Sequence, residues 1–251
     1  MLGLALPRAF SGVERSDIEV SVEQLAAVLL IVVPIAFNGA FFALARAFDY
    51  PDILRREPDE ILRRFAAGGP GLLLRWELLL LSALAMLPLA AVLAVALAAP
   101  PALSALAVVL GVSAALVQAL GLVRWPYGVA ELARRYVAAP AGPPGDATRE
   151  AVVVTFATLH RLLGVGVGEH LGYLLTGLWT LAVAASIVGT SVVPAWMGFI
   201  GIPIGAAILI GVLEFAGSNE PDGWALAGAV VPIAYIAWSV WLIALGILML
   251  I

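Results

Sequence analysis

The side chains that could do chemistry are few, and four of them lie in one short stretch. Glu169 and His170 are adjacent, and His160 lies ten residues before His170. Tyr173 follows Glu169 by one helical turn, so a helix would place both side chains on one face. Titratable groups are costly inside a bilayer and usually mark a functional site or a buried pair. We therefore predict that His170, Glu169, His160 and Tyr173 bind a cofactor or small ligand.

Metal and haem binding are two forms that such a site could take. Imidazole and carboxylate groups together suit a divalent transition metal. The predicted metal ligands are His170, Glu169, Glu77 and Glu214. Alternatively, His160 or His170 could be an axial ligand of a b-type haem. In a straight helix these histidines would lie about 15 Å apart, so they could clamp one haem only with a break at the glycines or with a second protomer.

Other interpretations remain open beside cofactor binding. Glu169 and His170 could relay protons in a small transporter, whose helices would be kinked at prolines. The polar groups could also form a network that only fixes helix packing, with Arg161 or Arg124 neutralising Glu169. A third possibility is an accessory subunit of a larger membrane complex. The sequence has no nucleophile elbow and no phosphate-binding loop, so no catalytic residue is predicted and enzymatic activity stays open.

The composition decides the class of protein that must position these residues. The chain has 251 residues, of which 63% are hydrophobic and 12% are charged, and its mean hydropathy is +1.07. Soluble domains have about 45–50% apolar and about 25% charged residues. All 13 basic residues are arginines and the net charge is −4, which gives no basic surface for nucleic acid. These values exclude a soluble enzyme and predict an integral protein of the lipid bilayer.

The apolar segments predict the fold. A helix needs about 20 apolar residues to cross the hydrocarbon core. The runs are continuous rather than alternating, which favours helices over a barrel. We predict an all-α bundle of six transmembrane helices, forming a single domain over residues 1–251. The predicted spans cover 25–47, 78–99, 102–123, 167–188, 193–213 and 224–251, with hydrophilic connections at 48–75 and 124–150.

A ladder of small residues accompanies the candidate site. Gly164, Gly168, Gly172 and Thr176 recur every four residues, which would let another helix approach closely. The alternating glycines also make a bend between His160 and Glu169 plausible. With six spans, polar residues from five helices fall in the same half of the membrane, which predicts one shared site. These residues are Asn38, Glu77, Gln118, Glu169, His170 and Glu214.

The arginines predict the orientation of the chain. Eleven arginines flank or occupy the two long connections, and only Arg8 and Arg15 belong to the other side. Cytoplasmic loops are enriched in arginine and lysine, so we expect both connections in the cytoplasm and both termini outside.

Two stretches of the C-terminal half resemble uncharacterised multi-pass membrane proteins of GC-rich bacteria. One runs from His160 to Tyr173 and reads HRLLGVGVGEHLGY, and the other runs from Tyr235 to Gly246 and reads YIAWSVWLIALG. The resemblance implies a multi-pass protein of the bacterial inner membrane and brings no activity with it. A homo-oligomer or a larger membrane complex would be compatible with this class of protein.

Overall fold

The fold is a bundle of membrane-spanning helices, as predicted. The structure is a computed structural model that describes residues 21–219 and 222–251, so Arg8 and Arg15 lie outside the described part. Six helical segments are long and apolar enough to cross a membrane. They are Val22–Phe48, Pro58–Ala96, Pro101–Ala138, Pro143–Val188, Trp196–Leu213 and Ala225–Leu250. The prediction of an all-α, six-helix membrane protein is confirmed.

Several of these segments are joined from shorter helices. The α-helices are α1 (Val22–Phe48), α2 (Pro58–Leu84), α3 (Met86–Ala96), α4 (Pro101–Val123), α5 (Ala130–Ala138), α6 (Pro143–Leu159), α7 (Gly172–Val188), α8 (Trp196–Ile210) and α9 (Ala225–Leu250). Short 3₁₀ turns occupy Asp52–Arg55, Gly211–Leu213 and Gly217–Asn219. Two π-helical stretches join α-helices without a break. We call them the first π segment (Arg124–Val129) and the second π segment (His160–Leu171).

The helices extend further than the apolar runs indicate. Residues 58–75 belong to α2, and most of 124–150 belongs to the first π segment, α5 and α6, whereas the sequence suggested hydrophilic connections there. The fourth segment has 46 residues and would be about 69 Å long, more than twice the hydrocarbon thickness of about 30 Å. The extra turns are amphipathic, so a search for continuous apolar residues does not detect them.

The extended helices pack on each other and form a second core. The first core, which we call the bundle core, contains Trp179, Trp238 and Leu242 with residues of α1, α3 and α8. The second, the aromatic core, lies beyond it at the end of the bundle where α1 ends and α9 begins. Its largest members are Phe48, Phe65, Trp76, Trp125 and Phe156. Trp76 and Trp125 stack in parallel with ring centroids 4.4 Å apart. Because five loop arginines (Arg55, Arg56, Arg63, Arg64 and Arg75) belong to the connection and helix that begin there, we call this end the arginine-rich end.

Candidate functional site

A cavity of about 370 Å³ lies between the two cores. Its walls come from α1, the connection after α1, α2, α4, both π segments, α7 and α9, so residues far apart in the sequence meet there. The polar side chains on its walls are Tyr50, Gln118, Arg124, Glu169, Tyr173 and Tyr235. The remaining wall is apolar and includes Phe37, Phe41, Leu79, Leu122 and Pro232.

Arg124 is the buried cation of this cavity. Only 7% of the residue is exposed, and its guanidinium carbon lies 5.3 Å from the centroid of the Trp125 ring. One terminal nitrogen donates to the carbonyl oxygen of Gly121, whereas Nε finds no hydrogen-bond partner among the described residues. The guanidinium lies against Gly164, where an added Cβ would be 2.7 Å from Nη2. Within the described part of the chain, no carboxylate lies within 4 Å of Arg124.

Glu169 and three tyrosines complete the polar wall. Glu169 comes from the second π segment, and Tyr173 follows it at the start of α7. Tyr173 also packs against Tyr235 of α9, with ring centroids 5.9 Å apart. Tyr50 follows α1, and burial, aided by the negative charge of Glu169, raises its pKa to about 12. Its phenol is therefore protonated at neutral pH and can both donate and accept a hydrogen bond.

Close contact between α4 and the second π segment positions the two charged residues. A Cβ on Gly121 would lie 2.7 Å from the Cα of Gly168, so the two backbones touch. One turn further, the side-chain amide of Gln118 donates to the hydroxyl of Thr176 at 2.9 Å. The predicted small-residue ladder is confirmed as the surface that contacts α4. Gly121 precedes Arg124 by three residues and Gly168 precedes Glu169 by one, so this contact sets the spacing of the charges.

The second π segment takes the place of the bend that the glycines suggested. It runs without interruption over 12 residues, from His160 to Leu171. The first π segment begins at Arg124 and faces the same cavity. π-helices are rare and are often found at functional sites. Here each of the two charged cavity residues belongs to one of them.

The predicted site residues divide into two groups. Glu169 and Tyr173 line the cavity together, whereas His160 and His170 do not. The His170 ring nitrogen Nδ1 lies 3.0 Å from the carbonyl oxygen of Val212, and the residue lines an open groove that also contains Phe215. His160 belongs to the aromatic core, where it stacks on Phe156 with centroids 5.6 Å apart. The cavity therefore offers guanidinium, carboxyl, amide and phenol groups to a ligand, but not imidazole.

The predicted metal ligands are not brought together. Glu77 is half-buried on α2 and is not part of the cavity wall. Glu214 lies beyond α8, where its carboxylate faces Gly228, and burial raises its pKa while the charge of Arg55 opposes that shift. Over residues 21–219 and 222–251, no three His, Asp or Glu side chains are grouped so that they could hold a metal ion.

From the sequence, Arg124 is expected only as a residue that could neutralise Glu169, and Tyr50 and Tyr235 are not expected at the site. Arg124 was grouped with the loop arginines because the third apolar run ends at Val123. The local sequence does contain a signal for burial of Arg124, because apolar residues flank it on both sides and Trp125 follows it directly. The tyrosines carry no local signal, since only the tertiary fold brings them to the cavity.

The comparison with known protein families gives a family but no activity. Residues 25–246 match a family described as a domain of unknown function, DUF4386. The match spans most of the chain, so the protein belongs to this family. It also covers both halves, whereas the resemblance seen in the sequence was limited to the C-terminal half. No curated protein and no solved structure matches the chain.

Proposed function

We propose that this DUF4386 protein binds a small molecule carrying a carboxylate or phosphate group in the cavity beside Arg124. The observation that carries the proposal is the guanidinium itself. It is buried, lines a cavity and has no carboxylate partner within 4 Å among the described residues. A buried charge is expensive unless it is paired. An anionic ligand would supply the missing partner.

The size and chemistry of the cavity support this function. Ligand sites commonly measure about 300–1,000 Å³, with apolar walls and a few polar groups that orient the ligand. The cavity lies in that range, and its wall area is mostly apolar. Arginine is suited to carboxylates and phosphates because its planar fork can donate two parallel hydrogen bonds. Glu169, Tyr173 and Tyr235 would then contact uncharged parts of the ligand.

Two variants test the role of Arg124: R124Q removes the positive charge of the cavity and E169Q removes its negative charge. The protein is placed in nanodiscs, and binding of acetate, inorganic phosphate, dodecanoate and dodecyl phosphate is measured by calorimetry, with empty nanodiscs as blanks. Removing one partner of a buried charge pair costs about 2–5 kcal/mol, so R124Q should weaken anion binding by at least about 25-fold. E169Q should bind anions at least as tightly as the wild type, because it removes a like charge from the same cavity.

Dodecanol and dodecyltrimethylammonium serve as the neutral and cationic controls. The proposal predicts that both controls bind the wild type no more tightly than they bind R124Q. It is wrong if none of the four anions binds, or if R124Q binds them as tightly as the wild type does.

We also propose that the protein resides in a bacterial inner membrane with its arginine-rich end in the cytoplasm. The unequal distribution of arginines between the two sides supports this orientation. The chain has no cysteine, so single cysteines can report exposure. In intact cells an impermeant maleimide should label S191C, in the turn after α7, and should leave T148C unlabelled. The reverse labelling pattern would overturn the orientation.

A further inference from the structure

Only a small part of the cavity wall is exposed at the surface of the protein. Its lining residues are buried or half-buried with two exceptions, Pro51 and Pro232, which are exposed. Pro51 follows the end of α1 and Pro232 belongs to the first half of α9. Because these two prolines are the exposed part of the wall, we take the gap between the end of α1 and the first half of α9 as the mouth of the cavity.

The gap is local, because α1 and α9 pack closely elsewhere. Far from the arginine-rich end, a Cβ on Gly246 would lie 2.7 Å from the carbonyl oxygen of Ala27. Near the middle, the side-chain amide of Asn38 donates to the hydroxyl of Ser239 at 2.9 Å. Beyond this hydrogen bond, Phe41 and Pro232 line the cavity from opposite sides. The helices are thus joined above the mouth and separated at it.

The connection after α1 covers the cavity at the arginine-rich end. Tyr50 and Leu54 contribute to the wall, and Ile53 between them is fully buried. Two ion pairs of Arg56 hold this connection, at 2.5 Å to Asp49 and 2.6 Å to Glu60. The connection therefore forms the cavity wall at the arginine-rich end, and Pro232 exposes the wall on α9, a helix long and apolar enough to cross the membrane.

The mouth and Arg124 both lie towards the arginine-rich end of the bundle. Pro232 is seven residues after the start of α9 at Ala225, which places it about 10 Å along the helix. Arg124 directly follows α4 at the same end of the bundle. A molecule of the surrounding leaflet could reach Arg124 with its polar end while its apolar part stays at the mouth.

We infer that the ligand is a single-chain anionic amphiphile that enters sideways between α1 and α9 and places its carboxylate or phosphate at Arg124. This inference rests on the proposed function and adds the source and class of the ligand. The cavity, at about 370 Å³, lies near the lower end of the range of about 300–1,000 Å³ that is usual for ligand sites, which favours one chain over two. The polar end and the first part of one chain occupy it, and the remaining chain lies in the mouth and the bilayer.

Chain length separates this inference from the proposed function. Dodecanoate should bind at least tenfold more tightly than butyrate in wild-type nanodiscs, and R124Q should weaken the binding of both by at least about 25-fold. Equal, Arg124-dependent binding of butyrate and dodecanoate would overturn the amphiphile while the proposed function stands. Binding that does not depend on Arg124 would contradict both this inference and the proposed function.

A bulky label at the mouth tests the route. P232C is modified with pyrenyl maleimide, and the control is I233C, whose native side chain is 68% exposed on α9 and does not line the cavity. Labelled P232C should bind dodecanoate at least tenfold more weakly than unlabelled P232C, whereas labelled and unlabelled I233C should bind it equally well. Unchanged binding by labelled P232C would overturn entry between α1 and α9.

Discussion

The contact between Gly121 and Gly168 provides the sharpest test of how the cavity is built. In G121A the new Cβ would lie 2.7 Å from the Cα of Gly168 and 3.1 Å from the carbonyl oxygen of Leu163. Both atoms belong to the backbone, so neither can move away by rotating a side chain. Gly172 is a matched control on the same interface, because its added Cβ would lie 3.4 Å from the Cγ of Gln118, an ordinary contact distance.

The two variants share one favourable effect and differ in one unfavourable effect. Replacing a helical glycine with alanine contributes up to about 1 kcal/mol of stability. Overpacking a close contact costs about 1–3 kcal/mol. G172A should therefore be as stable as the wild type or up to about 1 kcal/mol more stable. G121A should lie about 1–3 kcal/mol below G172A, because the favourable effect cancels in the comparison.

The free energy of unfolding can be measured in mixed micelles by titrating with dodecyl sulfate and following tryptophan fluorescence. Dodecanoate affinity should fall in G121A as well, because Arg124 donates to the carbonyl oxygen of Gly121. G172A should keep the wild-type affinity. Equal stability of G121A and G172A would refute the backbone contact, and with it the positioning of the two charged residues by this interface.

Three further predictions concern other parts of the fold. Gly69 has φ +56° and ψ −156° inside α2, a conformation that is essentially restricted to glycine, so G69A should lose about 1–3 kcal/mol of unfolding free energy. G39A should lose none, because an added Cβ at Gly39 meets nothing within 4 Å; equal losses in both would contradict the strain argument. Burial raises the pKa of Glu214, so the folded state favours its protonated form. The free energy of unfolding should therefore fall as the pH rises from the ordinary pKa of about 4.5 through the raised pKa of the folded state. E214Q should show a smaller fall when unfolding is measured against pH, and a fall equal to that of the wild type would contradict this. N38A removes the hydrogen bond to Ser239 and should cost about 0.6 to 1.7 kcal/mol in the same unfolding assay, and no measurable loss would remove this bond as a link between α1 and α9.

The number of spans could be predicted from sequence because lipid imposes a strong and simple pattern. A helix that faces lipid is apolar around most of its surface, and α9 illustrates this, with Ile233, Ile236 and Val240 all more than 60% exposed. The first half of α2 obeys a different pattern. It buries Ile61, Leu62 and Phe65 on one face and carries charged residues on the other. A search for continuous apolar runs therefore predicts a hydrophilic connection there.

The candidate site could be predicted only in part, for a reason that lies in helix geometry. Glu169 and Tyr173 are separated by one turn, so they share a face whether the helix is α or π. His170 is adjacent to Glu169, and neighbouring residues on a helix point in directions about 100° apart. Its ring accordingly contacts the carbonyl of Val212 and not the cavity. Proximity in sequence was therefore a poor guide to a shared site.

Arg124 shows why a buried cation at the end of a span is hard to recognise from sequence. It follows an apolar run, as an ordinary interfacial arginine does, and the fold buries it against Gly164 of the second π segment and the ring of Trp125. A purely structural network would place Arg124 against a carboxylate. Instead Arg124 and Glu169 line one cavity without an ion pair within 4 Å in the described residues, and each belongs to a π segment. A buried charge without a close partner costs stability, and π segments are often found at functional sites, so both features support the proposal of a ligand in the cavity.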